Sequence, residues 1–317
     1  MREEDFYQIF ITGTGDYLDE LLEKGLGGVI FFSKDILSKD GFKSLVSDIK
    51  LKAKLPPFLS MDQEGGRVER TENIYPKRLS AKFAYEKGRE YLISQTEVLA
   101  DELLEFGINL NFAPVADINT NPNNPIIGER AFGDVLEPVI DGVEVVSSIY
   151  LNKGIIPCVK HYPGHGDVEV DSHKTLPKLK HSLDEMEKTH LAPFKFASDI
   201  NLPMVMVAHL DCECFGQAGI PTSLSKNAID YLRTNLGFKG VIITDDMNMG
   251  GVNYLPPVEA AIRALKAGVN VLLYRASDNE TYKIIQALRA EIEKDKELEA
   301  VVRQSVEKIT KLKTQYL

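Results

Sequence analysis

The sequence predicts an α/β fold, a single-domain (β/α)8 TIM barrel spanning residues 1–317. Three observations predict it. Short β-branched runs alternate with amphipathic helical stretches along the whole chain, and eight such runs are found. They are near-continuous hydrophobic segments, as expected of parallel strands buried on both faces. No linker, low-complexity tract or internal repeat divides them. A doubly wound open sheet is the competing arrangement, but no Gly-x-Gly-x-x-Gly follows a strand, so its nucleotide-binding form has no support.

In chain order, Gln8–Thr12 is the first apolar run, ended by Gly13-Thr14-Gly15, and Tyr17–Lys24 follows as helix. Gly28–Phe32 is the second strand, with a helix over Gly41–Leu51, and Pro57–Met61 is the third. A single long helix is expected over Lys82–Phe106, with Gly107 as its stop signal. Ile108–Val115 is the fourth strand, Pro138–Lys153 a helix, and Ile155–Val159 the fifth strand. Ser182-x-x-Glu185 is a capping-box signature for a helix running to Ser198. Met204–Val207 is the sixth strand, and Ser225 is a good N-cap for a helix presenting Ile229, Leu232 and Leu236 on one face. Gly240–Thr244 is the seventh strand, Val258–Lys266 a helix, Val269–Tyr274 the eighth strand, and two helices finish the chain.

Bulk chemistry narrows the function classes. The net charge of −10 argues against a nucleic-acid-binding surface. No apolar run approaches the ~18 residues that span a membrane, and the acidic N-terminus shows no signal-peptide pattern. A soluble, cytoplasmic protein is therefore expected. The three cysteines suggest no disulfide framework. Cys158 lies in an apolar run, and Cys212 and Cys214 with His209 lack the second ligand pair of a structural zinc site.

The polar residues fall in a pattern. Asp62, Asp117, Lys160, His161, His209, Asp245 and Asp246 stand at or just past the ends of five different strands. In a barrel those ends form one rim, where active sites are assembled. A loop cap or a buried hydrogen-bonded group explains any one of them singly; recurrence on five strands favours a site. Asp245 and Asp246 point to opposite sides of their strand, so one faces the mouth while the other caps the next helix. Arg67, Arg70 and Arg130 lie on loops after the third and fourth strands, either to grip hydroxyls or carboxylates or to pair with Glu64, Glu69 or Glu129 at the surface.

Lys160–Pro177 is the densest stretch. It holds three of the six histidines (His161, His165, His173) together with Asp167, Glu169 and Asp171, and its glycines and prolines prevent regular structure over most of it. Two uses remain open. The histidines and aspartates could bind a divalent metal, although the H-x3-H spacing on a Gly/Pro loop lacks helical register. Alternatively Asp171 orients His173, two residues on, for proton transfer near neutral pH.

These residues carry a family resemblance. Lys160-His161-Tyr162-Pro163-Gly164-His165-Gly166-Asp167, with Asp171-Ser172-His173 and Leu176-Pro177, resembles the signature of glycoside hydrolase family 3 β-N-acetylglucosaminidases, and among them the single-domain bacterial enzymes of peptidoglycan recycling. Met61–Val68, Ile127–Arg130 and Thr244–Met249 extend the match along most of the chain. The resemblance implies a retaining β-N-acetylhexosaminidase on a TIM barrel, using no cofactor and no metal. It implies Asp245 as nucleophile and His173, paired with Asp171, as general acid/base. Asp62, Arg70, Arg130, Lys160 and His161 correspond to positions that hold the sugar, and His165 reads as loop architecture. The partner expected is a small amino-sugar glycoside, a peptidoglycan fragment, with no nucleic acid and no membrane, and the protein is expected to be a monomer. The larger family members carry a second α/β domain that supplies the acid/base, and no stretch after the eighth strand fits one. Three alternatives stay open: a phosphorylase with the same site, a metal-dependent hydrolase built on His161, His165, His173 and Asp171, and a catalytically silent sugar-binding protein.

Overall fold

The computed structural model describes residues 1–169 and 176–317. Eight parallel strands close into a barrel: β1 (Phe10–Gly13), β2 (Gly28–Phe31), β3 (Phe58–Met61), β4 (Leu110–Asn111), β5 (Ile156–Tyr162), β6 (Met204–Val207), β7 (Val241–Asp246) and β8 (Val271–Tyr274). Each strand pairs with its neighbours in sequence, and β8 returns to β1 through Phe10↔Leu272, Ile11↔Leu273 and Thr12↔Tyr274. Residues of the strands are buried throughout except at the end of β7, where Asp245 and Asp246 emerge at the rim. Side chains fill the interior and the helices cover the outside, which is why the strands read as unbroken apolar runs.

The helices form where apolar residues recur at helical spacing. The Lys39–Lys52 helix buries Phe42, Val46 and Ile49, three positions along one face, and starts at Ser38, whose hydroxyl accepts from the Gly41 N–H. The expected cap at Ser225 is present, its hydroxyl accepting from Ala228 N–H, and the Lys226–Thr234 helix buries Ile229 and Leu232. No helix among the described residues is long and apolar enough to cross a membrane.

Four local expectations are corrected. The long helix expected over Lys82–Phe106 is two, Ala81–Glu86 and Arg89–Glu105, because Gly88 between them adopts φ 106, outside helical backbone. The helix expected from Ser182 to Ser198 is also two, Leu183–Lys188 and Ala192–Asp199. Its capping box is real, with Glu185 accepting from the Ser182 N–H, but Pro193 lacks an N–H to continue the first helix and opens the second. The fourth strand is only Leu110–Asn111, since Pro114 cannot donate to the ladder; beyond it the chain keeps to β5 through single bonds such as Cys158 N to Ala113 O and Ala116 N to Lys160 O. Finally β5 and β7 run further than expected and carry Lys160, His161, Asp245 and Asp246 as strand residues. That extension places these side chains on the barrel strands themselves.

Candidate active site

The site is built outward from Lys160. Its side chain is 1 % exposed, so its charge must be neutralised by neighbours. Asp62, one residue past β3, accepts at 2.7 Å from Lys160 Nζ, and Glu64 lies at 2.6 Å from the same atom. Glu64 is also gripped by Arg130, whose Nε and Nη2 reach its two carboxylate oxygens at 2.8 and 2.9 Å. This two-pronged geometry is what a guanidinium offers a carboxylate and an ammonium does not. Burial alone would raise the Glu64 carboxyl, but the charges of Arg130 and Lys160 hold it far below the ordinary carboxylate range. Glu64 thus couples the loop after β3, the loop bearing Arg130, and the end of β5.

His161 continues the network. Its Nδ1 lies 2.6 Å from Asp117 Oδ2, and its Nε2 faces Arg130 Nη2 at 3.4 Å. Asp117 is fully buried and its other oxygen accepts from the backbone N–H groups of His161 and His165, at 3.3 and 2.6 Å. Against the cost of burial, the charge and hydrogen bond of His161 keep the Asp117 carboxyl depressed. Carboxylate, imidazole and guanidinium are therefore held in fixed order around the mouth. Arg70 completes the wall opposite, with Nη2 3.5 Å from Asp62 Oδ2 and its guanidinium 5.5 Å from the centre of the Phe32 ring.

Asp245 and Asp246 separate as alternation on a strand requires, and their chemistry diverges. Asp246 holds a turn: its Oδ1 accepts from Asn248 N and Arg275 N, while desolvation and the charge of Asp245 push its carboxyl up to about 6. The expectation that one of the pair caps the following helix is corrected, because that helix starts only at Pro257 and Asp246 caps the turn instead. Asp245 is the opposite case. Burial would raise it, yet His161, His209, the Asp246 N–H and Lys160 together hold it below the ordinary carboxylate value. His209 is itself fixed by Ser223 Oγ at 2.7 Å and the Asp246 carbonyl at 3.0 Å, so both ring nitrogens are engaged in positioning the end of β7. The arrangement presents an ionised carboxylate beside a wall of charged and imidazole groups.

The structure brings together Asp62, Arg70, Arg130, Lys160, His161 and Asp245. Arg130 does pair with Glu64, but in a buried network and not as a surface ion pair. Asp171 and His173 lie outside the described residues. His165 is 1 % exposed and packs its ring edge-on against His161 at 5.9 Å, beneath the rim. Glu64 was the residue that sequence reasoning undervalued; its position two beyond Asp62 gave no sign that it, and not Asp62 alone, balances both cations. A surface cavity of about 690 Å³ lies elsewhere, between Met1, Arg2 and the last helix. It lacks the buried charged network found at the strand ends, which makes the rim the better site.

A closed parallel barrel with such a rim at the carboxyl ends of its strands defines the class of the TIM-barrel enzymes. Within that class, residues 7–312 match the glycosyl hydrolase family 3 N-terminal domain, and the chain belongs to this family. It is similar to beta-hexosaminidase A of Pseudoalteromonas piscicida, at 31% identity over 94% of this chain and 55% of that one. It is likewise 33% identical to beta-hexosaminidase of Neisseria gonorrhoeae, over 82% of this chain and 74% of that one. Among solved structures it resembles a glycoside hydrolase family 3 beta-N-acetylglucosaminidase from Paenibacillus sp. str. FPU-7, with TM-score 0.90, 30% identity, and coverage of 100% of this chain and 62% of that one. The chain thus spans about half the length of the first of these relatives and under two thirds of that structure.

Proposed function

We propose that this chain is a retaining exo-β-N-acetylglucosaminidase that releases non-reducing terminal β-linked N-acetylglucosamine, with peptidoglycan fragments in the cytoplasm as its substrates. It acts as a single-domain monomer, and its chemistry uses no metal or cofactor. The observation that carries the reading is Asp245, a carboxylate at the end of a barrel strand, kept ionised among His161, His209 and Lys160. The names of the similar proteins, beta-hexosaminidase and beta-N-acetylglucosaminidase, support the sugar.

In this mechanism an Asp245 oxygen attacks the anomeric carbon while the glycosidic C–O bond breaks. The departing oxygen takes a proton from His173, whose imidazolium is oriented and stabilised by Asp171. Water then gives its proton back to His173 as its oxygen attacks the same carbon, and Asp245 is released. Most retaining glycosidases use a second carboxylic acid with a raised pKa for the proton; here an Asp–His pair fills that role. Asp62, Arg70, Arg130, Lys160 and His161 hold the sugar. Their mutual ion pairs keep the donors and acceptors aimed before substrate arrives, so little reorganisation is left for the transition state.

A slow fluorinated N-acetylglucosaminide should trap the glycosyl-enzyme, and peptide mapping should find the label on Asp245. A label on any other residue sinks the nucleophile assignment. Formation of a sugar 1-phosphate only when phosphate is supplied would instead make the protein a phosphorylase.

A further inference from the structure

A second cluster of titratable groups lies beside the rim and plays no part in the network around Lys160. Asp167, His181 and His190 each offer one ligand atom, and these atoms lie within 4.8 Å of one another. His181 Nε2 is 2.7 Å from Asp167 Oδ2, and the His181 and His190 rings are 5.5 Å apart. His190 is 2 % exposed and its Nδ1 has no hydrogen-bond partner among the described residues. A buried imidazole nitrogen left in that state calls for an explanation.

We propose that Asp167, His181 and His190 form a transition-metal site of the zinc class that clamps the base of the segment 168–180. Two imidazoles and one carboxylate are the three-ligand set that Zn2+ takes with water in its fourth position. Imidazole donors favour Zn2+, Co2+ and Ni2+ over the oxygen-seeking Mg2+ and Ca2+. Tetrahedral bonds of ~2.1 Å put neighbouring ligand atoms ~3.4 Å apart, so small side-chain shifts suffice. The second layer is also in place: Thr120 Oγ1 donates to Asp167 Oδ1 at 2.8 Å, which leaves Oδ2 for the metal.

The placement gives the metal a consequence. Asp167 opens, and His181 closes, the segment that carries Asp171 and His173. His190 sits between the helices Leu183–Lys188 and Ala192–Asp199, on the outer wall of the barrel. It backs onto Gly164 so closely that a Cβ there would come within 2.7 Å of the His190 Cβ. One ion would therefore tie both ends of the segment to the scaffold. The metal site stands on its own geometry; only its bearing on catalysis rests on the function proposed above.

The test uses protein stripped with a chelator, then titrated with zinc chloride in a calorimeter and with cobalt chloride in the visible spectrum. Wild type should bind one equivalent, with the intense absorption of four-coordinate Co2+. His190→Ala and His181→Gln should each weaken binding by roughly tenfold or more, and Thr120→Val less. His181 is half-exposed, so its variant keeps the test valid if the His190 variant fails to fold. Asp245→Asn should bind metal as wild type does. Loss of binding in Asp245→Asn but not in the histidine variants would put the ion in the sugar pocket and overturn the site. So would the absence of micromolar binding in the wild type. Hydrogen exchange of peptides covering 168–180 should slow on zinc addition in wild type and not in His181→Gln; unchanged exchange with zinc bound overturns the clamp. None of these readouts depends on turnover, so they fail or succeed independently of the sugar chemistry.

Discussion

At the scale of single residues, the site is governed by charges with little access to water. Lys160 is buried and Arg130 largely so, and Glu64 and the partly exposed Asp62 balance them. Such a network contributes little net stability against an apolar replacement, but removing one member strands the others. His165 lies under this network and is kept neutral, its imidazole pushed down to about 4 by burial and by the charge of His161. Because the folded value is below the unfolded 6.5, the unfolded chain binds more protons between them, and stability is lost as pH falls from 6.5 towards 4. The groups facing His165 include His161 and Asp117, and the Asp117 charge opposes the effect without cancelling it. The unfolding free energy measured by denaturant titration at a series of pH values should therefore begin to fall near 6.5, by about 3 kcal/mol at the acid end. His165→Asn should flatten that section of the curve while leaving the steeper carboxylate limb below pH ~4 in place. An unchanged acid limb in the variant would mean that His165 is not its source.

Elements are set by local backbone rules working against the hydrophobic pattern. The apolar periodicity from Lys82 to Phe106 runs through Gly88 without a visible break, yet the backbone turns there at φ 106. Nothing lies within 4 Å of where a Gly88 Cβ would stand, so a substitution would meet no clash. The cost of Gly88→Ala should then be the penalty of a backbone region (φ 106, ψ 157) open essentially to glycine alone, about 1–3 kcal/mol. Denaturant unfolding should show that loss with an unchanged slope; a neutral or stabilising result would mean that the two helices can fuse. Gly166 is the contrary case. A Cβ there would lie 1.8 Å from the Ile118 carbonyl, so the chain leading to Asp167 is pressed against the loop after β4, and only glycine permits it.

For the molecule as a whole, the two faces of the barrel have divided tasks. The carboxyl ends of the strands carry the charged rim, whereas the other face is sealed by the last helix. Lys313, on Lys296–Tyr316, donates to Gln8 Oε1, Gly27 O and Pro56 O at 2.7, 2.7 and 2.8 Å, above the Phe58 ring. One ammonium thereby joins segments entering β1, β2 and β3, adding to the backbone bonds Gly27 N to Tyr7 O and Phe58 N to Gly27 O. Lys313→Met would keep the volume but leave these buried acceptors short of donors, a loss of about 2–4 kcal/mol. Turnover at saturating substrate and low temperature should stay within about twofold, because conservation at this face of a barrel serves stability. A variant as stable as wild type would show that water replaces the ammonium.

The sequence alone determined the eight strands, their order and the class of the fold. Strands buried on both faces must be apolar throughout, and that signal survives without any three-dimensional information. It also placed Asp62, Asp117, Lys160, His161, His209 and Asp245 at one rim, because strand ends converge in a barrel whatever the loops do, while Arg70 and Arg130, on loops, were left open between gripping a ligand and pairing at the surface. Asp171 and His173, open in the sequence between metal ligation and proton transfer and implied as the acid/base pair by the resemblance, lie outside the described residues. Only the tertiary structure decided which charges meet. Glu64 lies 66 positions from Arg130, and Asp117 lies 44 positions from His161, so their pairing leaves no local pattern. Asp167, His181 and His190 are likewise scattered over a loop and a helix junction and become a cluster only when the chain folds back on itself. Hydrophobic periodicity is a property of neighbours in sequence, whereas the field that keeps Asp245 ionised is summed over neighbours in space.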